Sequence, residues 1–179
     1  MDKQKKLWLD RFKKTDSAWQ DGDQSGHDKT SDLVHPKNKI AIELKIDKTY
    51  SAPINCSQSN ILNTISNRYK GNAKSANKKF ANYPDHRTIL LIETSLRQDV
   101  FDFVWKGLMK IQIPTGQKIT KNKYLSGNTE NIGIYVVSSF SDNRIGLYIN
   151  PYAAPTRIMT NPELVGILTS IGIPVDKIV

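Results

Sequence analysis

Thr88-Ile-Leu-Leu-Ile92 is the segment that most restricts how the chain can fold. A strand made of an unbroken apolar run has no polar face to give to water, so both of its faces need cover. Helices on either side of a sheet supply that cover, and the neighbouring segments have the right periods. Residues 3–19 place Trp8, Phe12, Thr15 and Trp19 at helical spacing. Ser59 to Phe80 places Ile61, Leu62, Ile65, Tyr69, Ala73, Ala76 and Phe80 on one side of a helix, with Gly71-Asn72 as a potential break. Asp99 to Ile111 is expected to be helical, and Pro162 to Ile171 forms a short closing helix with Pro162 in its first turn. Strands are expected at Ser31–Val34, Lys39–Ile46, Thr88–Ile92, Ile132–Phe140 and Arg144–Ile149, the last two as a hairpin around Asp142-Asn143. The expected architecture is α/β (α+β): one mixed central β-sheet flanked by helices, in a single domain over residues 1–179.

Within that frame the strand Lys39–Ile46 is unusual. Ile40, Ile42, Leu44 and Ile46 alternate onto one face, which suits a core, while Ala41, Glu43 and Lys45 take the other. His35-Pro-Lys-Asn38 before it has turn composition. An even-length turn that pairs Val34 with Lys39 sets Asp32 opposite Ala41, on the face of Glu43 and Lys45. Asp32 and Glu43 are then diagonal neighbours about 8 Å apart. An odd-length turn would send Asp32 to the far side. Two carboxylates brought together repel unless a cation lies between them, and Mg²⁺ suits oxygen donors that leave room for water. Lys45 beside them is placed to orient a water and to neutralise a phosphate.

The chain carries 26 Lys and Arg against 17 Asp and Glu, a formal net charge of +9. Their distribution says more than the total. No Asp or Glu occurs between Lys48 and Pro84, where Lys48, Arg68, Lys70, Lys74, Lys78 and Lys79 lie. None occurs between Phe103 and Thr129 either, a stretch with five lysines that include Lys118, Lys121 and Lys123 beside Tyr124. Lys70, Lys74 and Lys78 recur as a helical stripe. A helix made only for solubility would interleave glutamates. With Arg68, Lys121 and Lys123, this stripe is the expected nucleic-acid surface.

Asp32, ten intervening residues and then Glu43-Leu44-Lys45 at the end of an apolar strand resembles the PD-(D/E)XK nuclease superfamily. The likeness spans roughly Ser31 to Ile92. It implies a restriction-endonuclease-like core in which Asp32 and Glu43 bind Mg²⁺ (with Mn²⁺ as a substitute) and the Leu44 carbonyl adds a ligand. It also implies that Lys45 assists the attacking water and that the products carry 5′-phosphates. Ser31 stands where the motif has proline. Asp16 is the nearest counterpart of the family's helical carboxylate, and Gln58 lacks the tyrosine that follows in exonuclease-like members.

Other chemistries find little support. Cys56 is the single cysteine, and His27, His35 and His86 are not at zinc-ligand spacing. Trp8, Trp19 and Trp105 read as core residues, and no Walker-type loop is present. No run reaches the roughly 20 apolar residues of a membrane span, a secretory leader is not expected, and a reducing cytoplasm is the expected compartment. The expected function is a Mg²⁺-dependent endonuclease hydrolysing phosphodiester bonds of double-stranded DNA, possible as a homodimer. The alternatives are a catalytically silent nucleic-acid-binding module on the same fold and an RNA-directed nuclease.

Overall fold

The computed structural model describes residues 3–25, 30–47, 71–94, 129–139, 144–150, 153–170 and 175–178. They form an α/β arrangement around a mixed sheet whose seven strands lie side by side in chain order. Helix α1 (Lys3–Thr15) leads into the two-residue strand β1 (Gln20–Asp21) and a 3₁₀ turn at Gly22–Ser25. Strands β2 (Leu33–His35) and β3 (Ile40–Asp47) follow. Residues 71–80 form helix α2, and then come β4 (Arg87–Thr94), β5 (Ile134–Ser139) and β6 (Arg144–Ile149). Helix α3 (Asn161–Ser170) and β7 (Val175–Ile178) close the chain. The pairs β1–β2, β2–β3 and β5–β6 are antiparallel, whereas β3–β4, β4–β5 and β6–β7 are parallel.

The strand expected at Thr88–Ile92 is central and covered twice, as its composition demands. Ile89 and Leu91 join Ile40, Ile42, Leu44, Ile134 and Val136 on one face, beneath Trp8, Leu9 and Phe12 of α1 and Leu164 and Leu168 of α3. Leu90 and Ile92 turn to the opposite face, in register with Glu43 and Lys45 of β3. Helix α2 lies over that second face: its Ala73, Ala76 and Phe80 are buried at helical spacing, Lys79 reaches Glu43, and Asn77 caps the Asn131 amide.

Local chemistry explains the joints. Glu163 folds back and its Oε2 accepts both the Thr160 amide and the Thr160 hydroxyl, at 3.0 and 2.8 Å, a side-chain cap at the start of α3. Arg157 is buried, with its guanidinium donating to the Tyr83 carbonyl and, at 2.8 Å, to Asn131 Oδ1. A Cβ on Gly133 would lie 1.9 Å from the Arg157 carbonyl oxygen, so only glycine permits this crossing.

Two expectations need correction. The first helix ends at Thr15, four residues early, and the two- and four-residue strands β1 and β7 are too short to show a strand period. The β2–β3 register is also displaced by two residues: Val34 pairs with Ala41, not Lys39, and His35 with Ile40. Pro36 to Lys39 thus form the connection, with Lys39 at a φ of 50°. The expected helix at Asp99–Ile111 lies outside the described residues, as does the Asp142-Asn143 turn.

Candidate functional site

The four-residue connection keeps the parity on which the site depends. Extending the observed register by one step sets Asp32 directly across from Glu43, closer than the diagonal arrangement expected. Asp32 is fixed in place by its Oδ2, which accepts the Leu44 amide at 2.8 Å. Glu43 is fully buried on the sheet face beneath α2. Its Oε1 receives the Lys45 ammonium at 2.8 Å and the Lys79 ammonium at 2.8 Å, and Lys79 also lies 3.0 Å from Oε2. Burial pushes the Glu43 carboxyl above the ordinary glutamate range, the charge of Asp32 adds to this, and Lys45 and Lys79 oppose it.

A second group of charges adjoins the first. Lys5 of α1 is buried, with its Nζ 2.8 Å from Asp21 Oδ1, 3.1 Å from Asp23 Oδ2 and 3.6 Å from Asp32 Oδ1. Burial acts to lower the Lys5 pKa, but the bonds to Asp21 and Asp23 and the charge of Asp32 together raise it above the ordinary lysine value. Asp23 is held below its ordinary value by the Thr30 hydroxyl at 2.6 Å and by Lys5. Gly22 makes the arrangement possible. Its amide donates to the Asp32 carbonyl at 3.1 Å, and a Cβ there would lie 1.6 Å from the Ser31 carbonyl oxygen. Only glycine lets the flanking aspartates come this near Asp32.

Asp32, Glu43, Leu44 and Lys45 are therefore brought together. Lys74 and Lys78 are exposed on α2, and neither reaches the cluster. Arg68, Lys70, Lys121 and Lys123 lie outside the described residues. Asp16 is not part of the site: it sits just beyond α1, where its carboxylate accepts the Ala18 amide and bonds His35 Nε2 at 2.9 Å. His35 is buried, and its Nδ1 accepts the Asn38 amide. These residues border a cavity of about 450 Å³ at the other end of the hairpin, with Arg87 and Glu163 also in its lining. Its polar groups are paired with each other, Asp16 with His35 and Arg87 with Glu163.

Sequence reading missed Lys5, Lys79, Asp21 and Asp23. Lys5 precedes Trp8 by three residues and Leu9 by four, so it lies on the apolar stripe of α1, which is itself a signal. Lys79 follows Ala76 by three residues and borders Phe80, at the edge of the buried side of α2. The Asp21-Gly22-Asp23 triplet had no partner in sequence to give it meaning.

Among the described residues no three Asp, Glu, His or Cys side chains converge as a metal cage. Mg²⁺ does not demand one, since it is commonly held by one or two carboxylates with waters and substrate phosphate completing its shell. Asp32 and Glu43, opposed hard-oxygen donors already faced by ammonium groups, fit that pattern. No family model matches the chain, no curated protein matches it significantly, and no solved structure does. No helix among the described residues is long and apolar enough to cross a membrane.

Proposed function

We propose that this chain is a Mg²⁺-dependent endonuclease with a restriction-endonuclease-like, PD-(D/E)XK-type core, acting on double-stranded DNA. The observation that carries the reading is the meeting of Asp32, Glu43 and Lys45 on one sheet face, with Lys45 Nζ 2.8 Å from Glu43. Asp32, Glu43 and the Leu44 carbonyl would hold the ion. Bound there, Mg²⁺ lowers the pKa of a coordinated water and offsets charge on the phosphoryl group. Lys45 is one-quarter exposed, so its ammonium can leave Glu43 and hold the attacking water against the phosphate. The acid-poor segments with Lys74 and Lys78 provide a surface for backbone phosphates. A homodimer would let two such centres address the two strands, and a cytoplasmic setting agrees with the single cysteine.

One observation favours a second reading. The carboxylates of Glu43 and Asp32 are already paired with lysines, which is what a silent nucleic-acid-binding module on this fold would need for stability alone. Supercoiled plasmid with Mg²⁺ or Mn²⁺ separates the two. The nuclease reading expects nicking that EDTA abolishes and that Asp32→Ala or Lys45→Ala lowers at least about 10²-fold. Retained, salt-sensitive binding without cleavage under either metal favours the silent module. Preferential cleavage of an RNA duplex would redirect the reading to an RNA nuclease.

A further inference from the structure

The lysines of this cluster differ in what they could do when a cation arrives. Lys45 and Lys79 share Glu43, and their side chains are 24% and 29% exposed. Either can turn outward and be solvated. Lys5 has no such outlet. Its side chain is 10% exposed, its stem lies on the buried stripe of α1, and its Nζ is within 3.6 Å of Asp21, Asp23 and Asp32 together. The Lys5 ammonium, faced by three carboxylates, already occupies the Oδ1 side of Asp32.

Resting on the nuclease reading above, we propose that Lys5 is a built-in cation that stands in for a second metal ion, so that each chain takes up a single divalent ion between Asp32 and Glu43. Lys5 is then a positioning residue: it fixes the Oδ1 side of Asp32 and leaves Glu43 and its exposed lysines as the exchangeable side.

The test counts Mn²⁺ bound to the full chain by calorimetry and by electron paramagnetic resonance, for wild type, Lys5→Gln and Lys5→Arg. One isolated Mn²⁺ is expected in wild type and Lys5→Arg, and two neighbouring, magnetically coupled ions in Lys5→Gln. Two ions in wild type, or one in a folded Lys5→Gln, overturn the role of Lys5 and leave the nuclease reading standing. No bound Mn²⁺ in wild type overturns the nuclease reading itself. Amine acetylation of wild type read by mass spectrometry needs no variant to fold. Saturating Mn²⁺ is expected to raise labelling of Lys45 and Lys79 severalfold and to leave Lys5 protected. A rise at Lys5 overturns the proposal.

Discussion

Two buried glutamates occupy opposite faces of the same sheet, and they are satisfied in different ways. Glu93 of β4 is turned toward α1 and accepts from Trp8 Nε1 at 2.8 Å and Gln4 Nε2 at 2.6 Å. Both donors are neutral, and Trp8 is completely buried. Glu43 of β3 is turned toward α2 and is held by two ammonium groups on long, partly exposed side chains, with Asp32 across the hairpin. Short, fixed, neutral donors make Glu93 a pin between helix and sheet. Long, exchangeable, charged donors make Glu43 a group whose partners can be replaced by a cation and a phosphate. Burial alone does not separate structural from functional acids. The nature of the partner does.

Substitution at the two glutamates gives the widest separation. Glu43→Gln is expected to remove Mg²⁺-dependent nicking by about 10²-fold or more with little loss of stability, because Lys45 and Lys79 can be solvated once released. Glu93→Leu is expected to leave nicking close to wild type and to cost about 1–3 kcal/mol in denaturant unfolding, since the buried hydrogen bond from the Trp8 indole to the carboxylate is lost. If both substitutions act mainly on stability, the contrast fails.

Gly22→Ala sharpens the same comparison from the backbone. Its methyl group meets the Ser31 carbonyl, so the link between β1 and β2 must shift, at about 1–3 kcal/mol. Asp21 and Asp23 would move away from Lys5, and the expected result is weaker Mn²⁺ binding in calorimetry with the Glu93 bonds to Trp8 and Gln4 unaffected.

The smallest effect is at α3, far from both glutamates. Bonds from the Thr160 hydroxyl, from Arg87 and from the Thr160 amide lower the Glu163 pKa from 4.5 to about 2. A carboxyl with a folded pKa below its unfolded one stabilises the fold at higher pH, and that contribution disappears as pH falls from about 4.5 toward 2. Glu163→Gln should therefore flatten the fall in stability across that window in acid titrations followed by circular dichroism. An unchanged slope would mean the cap contributes nothing measurable.

Much of this was legible in the sequence, for reasons specific to each element. Thr88–Ile92 required cover on both faces and has it. The Glu43 and Lys45 alternation marked a charged face on a strand with an apolar back, and even turn parity was enough to bring Asp32 onto it. The pairing register was not legible, because Pro36 to Lys39 and His35 to Asn38 are equally good turns by composition and only packing chooses between them. Lys5 and Lys79 were obscured by their type: a lysine on an apolar stripe looks like an interruption until the acids that surround it are folded into place. Asp21 and Asp23 gave no signal of their own, since a two-residue strand leaves no period to detect.

A crystal of the full chain soaked in Mn²⁺, with the ion located by its anomalous scattering, addresses the central claim most directly. The expected result is an anomalous peak between Asp32 and Glu43, with the ammonium groups of Lys45 and Lys79 withdrawn from Glu43. Saturating Mn²⁺ with no peak there, and both lysines still closed on Glu43, would contradict it.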